Sequence, residues 1–200
     1  MKGDDGDDEM WGGLGKNWMS GGNGDDRMIS KGDAVMFGDK GDDRMWGGNG
    51  DDKMFGGRGE DRLQGNSGDD EMFGDTGDDI LIGGMGINTL RGGLGKDTFT
   101  LDKYGTAVIT DFRFGQDCIF LDATEIDAFV LGTDQATGFA TISAEMSYLD
   151  SVRGYGTGSR TIAVLENVTL DQLQANSDHI VTSSQEWGEW RSPDWSSYWS

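Results

Sequence analysis

Apolar residues in the first hundred positions follow a period of nine. Residues 47–55 and 56–64 are consecutive copies of one pattern, with glycine at positions one and four and an apolar residue at position eight. Positions seven and nine flank the apolar residue and face the other way, which is the two-residue alternation of a β-strand. Each unit therefore predicts a glycine-rich turn followed by a short strand with one inward side chain.

Eleven such units fill residues 3–100, and the fourth unit (residues 30–37) is one residue short. Position four is glycine in every unit, and we expect the glycines at positions one and four to adopt positive φ and to let neighbouring chain approach closely. Position eight is always apolar, and seven of its eleven residues are methionine, which suits an adaptable core filler better than a soft-metal store. The predicted core is one side chain thick and consists of Met10, Met19, Met28, Met36, Met45, Met54, Leu63, Met72, Leu81, Leu90 and Phe99.

The composition of the 200-residue chain narrows the possible functions. The first hundred residues hold 27 of the 35 glycines, a content typical of linkers, but the strict period argues against disorder. A net charge of −21 disfavours nucleic acid and anionic lipid as partners. With one cysteine and one histidine, the chain cannot form an internal disulfide framework or a zinc site made of several Cys and His ligands. The chain lacks an apolar run long enough to span a membrane, and its start lacks the apolar region of a cleaved secretory signal.

The repeated pattern G-G-x-G-x-D-x-U-x resembles the nonapeptide of RTX (repeats-in-toxin) proteins. The resemblance covers residues 3–100 and implies an all-β fold, a parallel β-roll in which calcium-binding turns alternate with short strands. It also implies secretion to the bacterial exterior or cell surface.

The residues themselves support a need for calcium. Burying one apolar side chain per unit contributes about 2 kcal/mol, whereas ordering the backbone costs roughly 1 kcal/mol for each of the nine residues. Calcium takes six to eight oxygen ligands, which stacked Gly/Asp turns present. We therefore expect a repeat segment that is disordered without calcium and folds when several ions bind.

Two units form one turn of a roll, so odd and even units supply opposite edges. The odd units carry an unbroken series of aspartates at position six. The even units carry aspartate there in only two successive units, which are preceded by Asn17 and Ala34 and followed by Asn88. Asp33 is a candidate to replace the carboxylate that Ala34 lacks. The predicted calcium ligands are Asp8, Asp26, Asp43, Asp61, Asp79 and Asp97 on the odd edge, and Asp52 and Asp70 on the even edge.

Aromatic side chains recur at the outward position nine. Even units place Phe37, Phe55 and Phe73 in a ladder, and odd units place Trp11, Ile29 and Trp46 beside a row of arginines, Arg27, Arg44 and Arg62. A contiguous exposed apolar strip favours a covering partner or ligand. The alternative is that aromatic residues stabilise neighbouring strands, as they commonly do in sheets.

The nine-residue period ends at residue 101. Residues 107–121 alternate as two strands around a turn, and residues 161–173 predict a strand, a turn and the start of a helix. Both segments resemble the cap that follows RTX repeats in type I secreted proteins. We therefore expect a roll (3–100), a β-rich cap (101–182) and a tail (183–200). The tail carries Trp187, Trp190, Trp195 and Trp199, which suit a secretion signal or a docking peptide.

Catalytic motifs are absent from the sequence. There is one histidine, no H-E-x-x-H and no G-x-S-x-G, so we expect no enzymatic activity. The favoured function is that of a secreted calcium-binding structural or interaction protein at a surface, in a matrix or in a complex. The alternative is a carbohydrate-binding module that resembles the repeat modules of alginate epimerases and binds an acidic glycan.

Overall fold

The computed structural model describes residues 1–121, 128–145 and 159–181, and these residues form a parallel β-solenoid. Each strand pairs with the strand two units later, about eighteen residues along the chain, so two units form one turn as predicted. The two sheets of the solenoid face each other across the core, and β10 (Ile80–Leu94) runs through both.

The repeat strands alternate between the two sheets. The first sheet contains β1 (Lys2–Asp5), β3 (Asn17–Asn23), β5 (Ala34–Lys40), β7 (Lys53–Arg58), β9 (Glu71–Thr76) and the second part of β10. The second sheet contains β2 (Glu9–Trp11), β4 (Arg27–Ile29), β6 (Arg44–Asn49), β8 (Arg62–Ser67), the first part of β10 and β11 (Thr98–Leu101).

The core is the predicted column of position-eight side chains. All eleven are buried, and Met10 in the first turn is the most exposed of them at 6%. Successive members lie in register on neighbouring strands, as Met36 does with Met54 and Met45 does with Leu63. The one-residue-thick core of the sequence analysis is therefore confirmed.

Residues beyond 101 continue both sheets without the repeat pattern. In the first sheet, β12 (Gly105–Ile109) and β16 (Ser159–Leu165) add in parallel, and β15 (Ala140–Glu145) and β14 (Ala128–Thr133) add antiparallel. In the second sheet, β13 (Cys118–Leu121) and β17 (Ile180–Val181) add in parallel. A short helix, α1 (Leu170–Ala175), begins at Thr169 with a capping box to Gln172. The predicted strands and helix start in this segment are confirmed.

Glycine has a different role at each turn position. Positive φ was expected at positions one and four, but the structure places it at positions two and four, as at Gly57 (113°) and Gly59 (130°). Position one is glycine because a Cβ there would overlap the position-six carboxylate of the same unit, as at Gly56 with Asp61. The prediction was therefore right about close approach at position one and wrong about its φ.

The outward face of the second sheet is less exposed than expected. Ile29 and Trp46 are 2% and 6% exposed. Ile29 lies in register between Trp11 and Trp46, and the Arg27 guanidinium lies 5.3 Å from the centre of the Trp46 ring. These side chains point away from the core, but their neighbours on the same face cover them.

Candidate calcium-binding rows

The odd-edge aspartates form one hydrogen-bonded series, here called the odd row. The backbone N–H of each residue donates to Oδ1 of the residue one turn later, as Asp43 does to Asp61 and Asp61 does to Asp79, both at 2.8 Å. The same contact repeats along Asp8, Asp26, Asp43, Asp61, Asp79 and Asp97.

The second oxygen of each carboxylate, Oδ2, does not take part in these hydrogen bonds. Among the described residues, no donor reaches the buried Oδ2 atoms of the six odd-row aspartates or those of Asp52 and Asp70. A buried carboxylate oxygen without a partner is costly in a native structure and indicates a ligand that supplies positive charge. These are the eight predicted calcium ligands, and the structure brings them into two rows.

Electrostatics give the same indication. Burial raises the pKa of Asp43 and Asp79 to about 8 and that of Asp52, Asp61 and Asp70 to about 7. Burial raises the pKa of Asp97 to about 6 and also raises that of Asp26. Neighbouring carboxylates add to the shift, while the backbone N–H donors oppose it. A proton or a cation that neutralises the rows therefore stabilises this arrangement.

Backbone carbonyl oxygens lie beside the carboxylates. A Cβ built on Gly47 would overlap Asp52 Oδ2 and lie 2.9 Å from the carbonyl oxygen of Gly65, one turn later. The same pair of oxygens surrounds Gly21, Gly38, Gly56, Gly65 and Gly74. Each of these turns thus offers a carboxylate oxygen and a carbonyl oxygen in one place, which is the donor set of a hard cation.

Calcium fits these rows better than a metal held by side chains alone. Within the part of the chain that the structure describes, no three His, Cys, Asp or Glu side chains converge on a metal site. The row carboxylates and turn carbonyls provide oxygen ligands only, as calcium prefers. When bound, calcium would supply the positive charge that the buried carboxylates lack.

The even row is interrupted, as its sequence predicts. Asn17 donates from Nδ2 to the carbonyl oxygens of Gly13 and Gly15, and Asn88 donates from Nδ2 to that of Gly84. The two amides therefore donate to turn carbonyls, and among the described residues only Asp52 and Asp70 have buried carboxylate oxygens without a partner on this edge.

Asp33 does not replace the carboxylate that Ala34 lacks. The Asp33 side chain is exposed, while buried Ala34 holds the row position and its N–H donates to Asp52 Oδ1 at 2.6 Å. The expectation for Asp33 was wrong because the deletion in unit four removes a residue from the turn before position four. Asp33 consequently keeps the outward position five.

Position five carries a second series of carboxylates that the sequence analysis missed. Here the hydrogen bond runs the other way, since the N–H of the later unit donates to Oδ1 of the earlier one, as Asp42 does to Asp25. Further pairs are Asp25 with Asp7, Glu60 with Asp42, Asp69 with Asp51, Ile87 with Asp69 and Lys96 with Asp78. The recurrence of acid at position five was the available signal.

Asp117 extends the odd row beyond the repeats and was also missed. Its Oδ1 accepts from the N–H of Asp97 at 3.2 Å, and its Oδ2 accepts from the N–H of Arg113 at 2.7 Å. Because both oxygens are partnered, Asp117 ends the hydrogen-bonded series without offering a free oxygen. Its place follows a non-repeat turn, so the nine-residue period could not reveal it.

The predicted aromatic ladder forms on the first sheet. The rings of Phe37 and Phe55 stack at 4.9 Å with an interplanar angle of 3°, and those of Phe55 and Phe73 stack at 4.9 Å and 8°. Trp18 extends the ladder at 5.8 Å from Phe37 and is 50% exposed. Trp187, Trp190, Trp195 and Trp199, the predicted docking residues of the tail, lie outside the described residues.

A family comparison agrees with this geometry. The model of the RTX calcium-binding nonapeptide repeat matches four stretches, residues 1–28, 29–63, 56–90 and 64–99. The chain is an RTX repeat protein. RTX repeats bind calcium ions in multiples, and the matched residues contain all eight predicted aspartate ligands. No curated protein matches this RTX protein.

Two solved structures resemble this RTX protein in part. An extracellular lipase from Serratia marcescens is 18% identical over 90% of this chain and 39% of its own, with a TM-score of 0.47. A subunit of the Azotobacter vinelandii mannuronan C5-epimerase is 23% identical over 74% of this chain and 83% of its own, with a TM-score of 0.26. The chain thus spans about two fifths of the lipase. At these values, neither likeness informs the function.

Proposed function

We propose that this calcium-binding RTX protein is a secreted or cell-surface protein without enzymatic activity, which folds on calcium and then serves as a structural or interaction component. The observation that carries the proposal is the set of eight buried Oδ2 atoms without a hydrogen-bond partner. A fold that buries this much acid requires neutralisation, and calcium outside the cell provides it. The described residues contain no helix long and apolar enough to cross a membrane.

The single histidine supports a non-enzymatic role. His179 Nε2 accepts from the N–H of Gly115 at 3.1 Å, and its Nδ1 lies 3.0 Å from the carbonyl oxygen of Asp117. His179 directly precedes β17, and both of its ring nitrogens therefore contact backbone groups of the 113–117 turn. This ring is an anchor of the fold, so it is not available as a general base.

Calcium titration tests the proposal. We expect chelator-treated protein to change from coil to β-structure by far-UV circular dichroism as calcium is added, with several ions bound per chain by calorimetry. Magnesium serves as the matched control, because it demands small octahedral sites and dehydrates reluctantly. A spectrum that is indifferent to calcium contradicts the proposal.

The proposed architecture assigns a role to each segment. The roll (3–100) binds calcium, the cap (101–182) covers its end, and the tail (183–200) directs secretion or docks on a partner. Removal of the tail separates these roles, since calcium-driven folding should persist while secretion or cell-surface binding is lost. Loss of calcium-driven folding on tail removal would instead make the tail part of the folded unit.

An acidic glycan is the second candidate ligand. Arg27, Arg44 and Arg62 lie in register on three neighbouring strands of a chain with a net charge of −21, and Arg44 is exposed. Their spacing is that of adjacent strands, so an extended polyanion would meet several guanidinium groups at once. Calorimetric titration with alginate and with a neutral glycan decides this candidate, and heat with neither rejects it.

A further inference from the structure

Sulfur occupies one end of the core. Met19, Met36, Met54 and Met72 follow one another in register in the first sheet, and Met10, Met28 and Met45 do so in the second. Six of these side chains are fully buried, and Met10 is 6% exposed. These seven residues are called the methionine column.

The same core continues without sulfur toward the C-terminus. Beyond Met72 the first sheet has Leu90 and Ile109, and beyond Met45 the second sheet has Leu63, Leu81 and Phe99. Position eight therefore accepts leucine in an equivalent environment. Packing alone does not require methionine, and among the described core residues the thioether sulfurs are confined to the N-terminal turns.

We propose that the methionine column is an oxidation site for peroxides, and that oxidation of these residues and calcium-driven folding exclude each other. This inference rests on the proposed function, because the column is exposed only when the repeats are unfolded. In the reaction, the thioether sulfur attacks one peroxide oxygen and the O–O bond breaks. A methionine sulfoxide and one molecule of water form from hydrogen peroxide, so sulfur loses two electrons and the peroxide gains them.

The roll cannot accommodate the product. A sulfoxide is polar and its oxygen requires a hydrogen-bond donor when buried. The backbone N–H groups beside the column are used in the parallel ladders between turns. Because the core is one side chain thick, a sulfoxide has no second layer in which to turn, and each oxidised unit opposes the stacking that calcium favours.

Two other methionines serve as internal standards. Met1 and Met85 lie outside the column and are 53% and 50% exposed in the folded chain. Their oxidation rates should be nearly independent of calcium. In chelator, the column residues should be oxidised at the same rate as Met1 and Met85. In saturating calcium, they should be oxidised at least tenfold more slowly.

The first experiment measures oxidation at each methionine. Full-length protein is treated with hydrogen peroxide in calcium or in chelator, and each methionine is followed by peptide mass spectrometry. We expect calcium to protect the column and not Met85. Equal oxidation of the column and Met85 in calcium overturns the proposal, as does protection of the column that persists in chelator.

The second experiment measures folding after oxidation. Protein oxidised in chelator should fail to give the calcium-induced circular dichroism change, and β3, β5 and β7 should lose their protection from hydrogen exchange. A control with all seven column methionines replaced by leucine should fold on calcium even after peroxide treatment. Should this variant fail to fold before oxidation, treatment of the oxidised wild type with both methionine sulfoxide reductases replaces it and should restore the calcium response.

The two proposals fail in different ways. If unoxidised protein does not fold on calcium, the proposed function is wrong and the oxidation proposal falls with it. If unoxidised protein folds on calcium and the oxidised protein folds with the same calcium midpoint, only the oxidation proposal is wrong.

Discussion

The backbone N–H of Asp61 donates to Oδ1 of Asp79 at 2.8 Å, while Oδ2 of Asp79 is buried and has no hydrogen-bond partner among the described residues. One carboxylate thus has two separate tasks. Oδ1 sets the register between two turns of the roll, and Oδ2 lies beside the carbonyl oxygen of Gly92, one turn later. Asparagine keeps the first acceptor and replaces the second with an NH2 group, so the Asp→Asn substitution separates register from calcium binding.

Asp61→Asn tests this separation in the middle of the odd row. We expect the calcium midpoint for folding to rise on the order of tenfold, because one charged ligand is lost while the hydrogen bond from Asp43 remains. Calorimetry should also count fewer ions. The matched control is Glu60→Gln, which removes one negative charge from an exposed neighbour. An equal effect of both variants would mean that only net charge matters.

Asn88→Asp tests whether the even row can be extended. Asn88 accepts from the N–H of Asp70 through Oδ1 and donates through Nδ2 to the carbonyl oxygen of Gly84. Aspartate keeps the acceptor and converts the donor into a second oxygen beside a carbonyl. We expect one additional calcium ion by calorimetry. Asn49→Asp adds the same charge at an exposed site and should leave the ion count unchanged.

The pH dependence of the calcium-free protein follows from the raised pKa values. In the folded state, Asp43, Asp61 and Asp79 have pKa values of about 7 to 8, above the ordinary value of 3.8. Between these values the folded state binds more protons than the unfolded state, so folding is favoured as pH falls. Circular dichroism in chelator should therefore show more β-structure at pH 5 than at pH 8, where the calcium-free repeats are expected to be disordered. A content of β-structure in chelator that rises with pH contradicts this assignment.

Calcium should reverse the trend. Protons and calcium compete for the same carboxylates, so the calcium concentration required for folding should rise as pH falls below about 7. Circular dichroism titrations at pH 8, 7 and 6 measure this shift. A calcium midpoint that is constant over this range would mean that the row carboxylates are not the ligands.

Much of the fold was predictable because the position of a residue within its nine-residue unit determines its position in the roll. Position eight gave the core residue by residue, and position six gave both carboxylate rows and the interruption at Ala34. Asp117 was not predictable, since it enters the odd row from a turn that lacks the nine-residue period. The burial of Ile29 and Trp46 was also missed, because it depends on side chains of neighbouring turns, such as Arg27, that cover this face.

The phenylalanine ladder should stabilise the roll whether or not a partner binds it. Each face of the Phe55 ring is stacked against a neighbour, so its faces are not free for a ligand. Phe55→Ala should lower the free energy of unfolding in saturating calcium by about 2 kcal/mol, from lost burial and lost stacking. Trp18→Ala, at the exposed end of the ladder, should cost less. Equal costs in urea unfolding would argue against a stabilising ladder.

Stacking of the turns depends on glycine at position four. Gly77 has φ of 138°, and a Cβ there would overlap the carbonyl oxygen of Gly59 in the preceding turn of the roll. Backbone cannot move aside as a flexible side chain can, so Gly77→Ala should cost about 4 kcal/mol or more.

Gly13→Ala is the matched control, because this exposed glycine lies outside the positive-φ set and a Cβ there has no atom within 4 Å. It should change stability by less than about 1 kcal/mol. Calcium-dependent folding measured for both variants separates two causes. Alanine could act through the lower conformational entropy of the unfolded chain or through its helix propensity, and in that case both variants would behave alike. If close stacking governs it, only Gly77→Ala loses the calcium-induced β-structure.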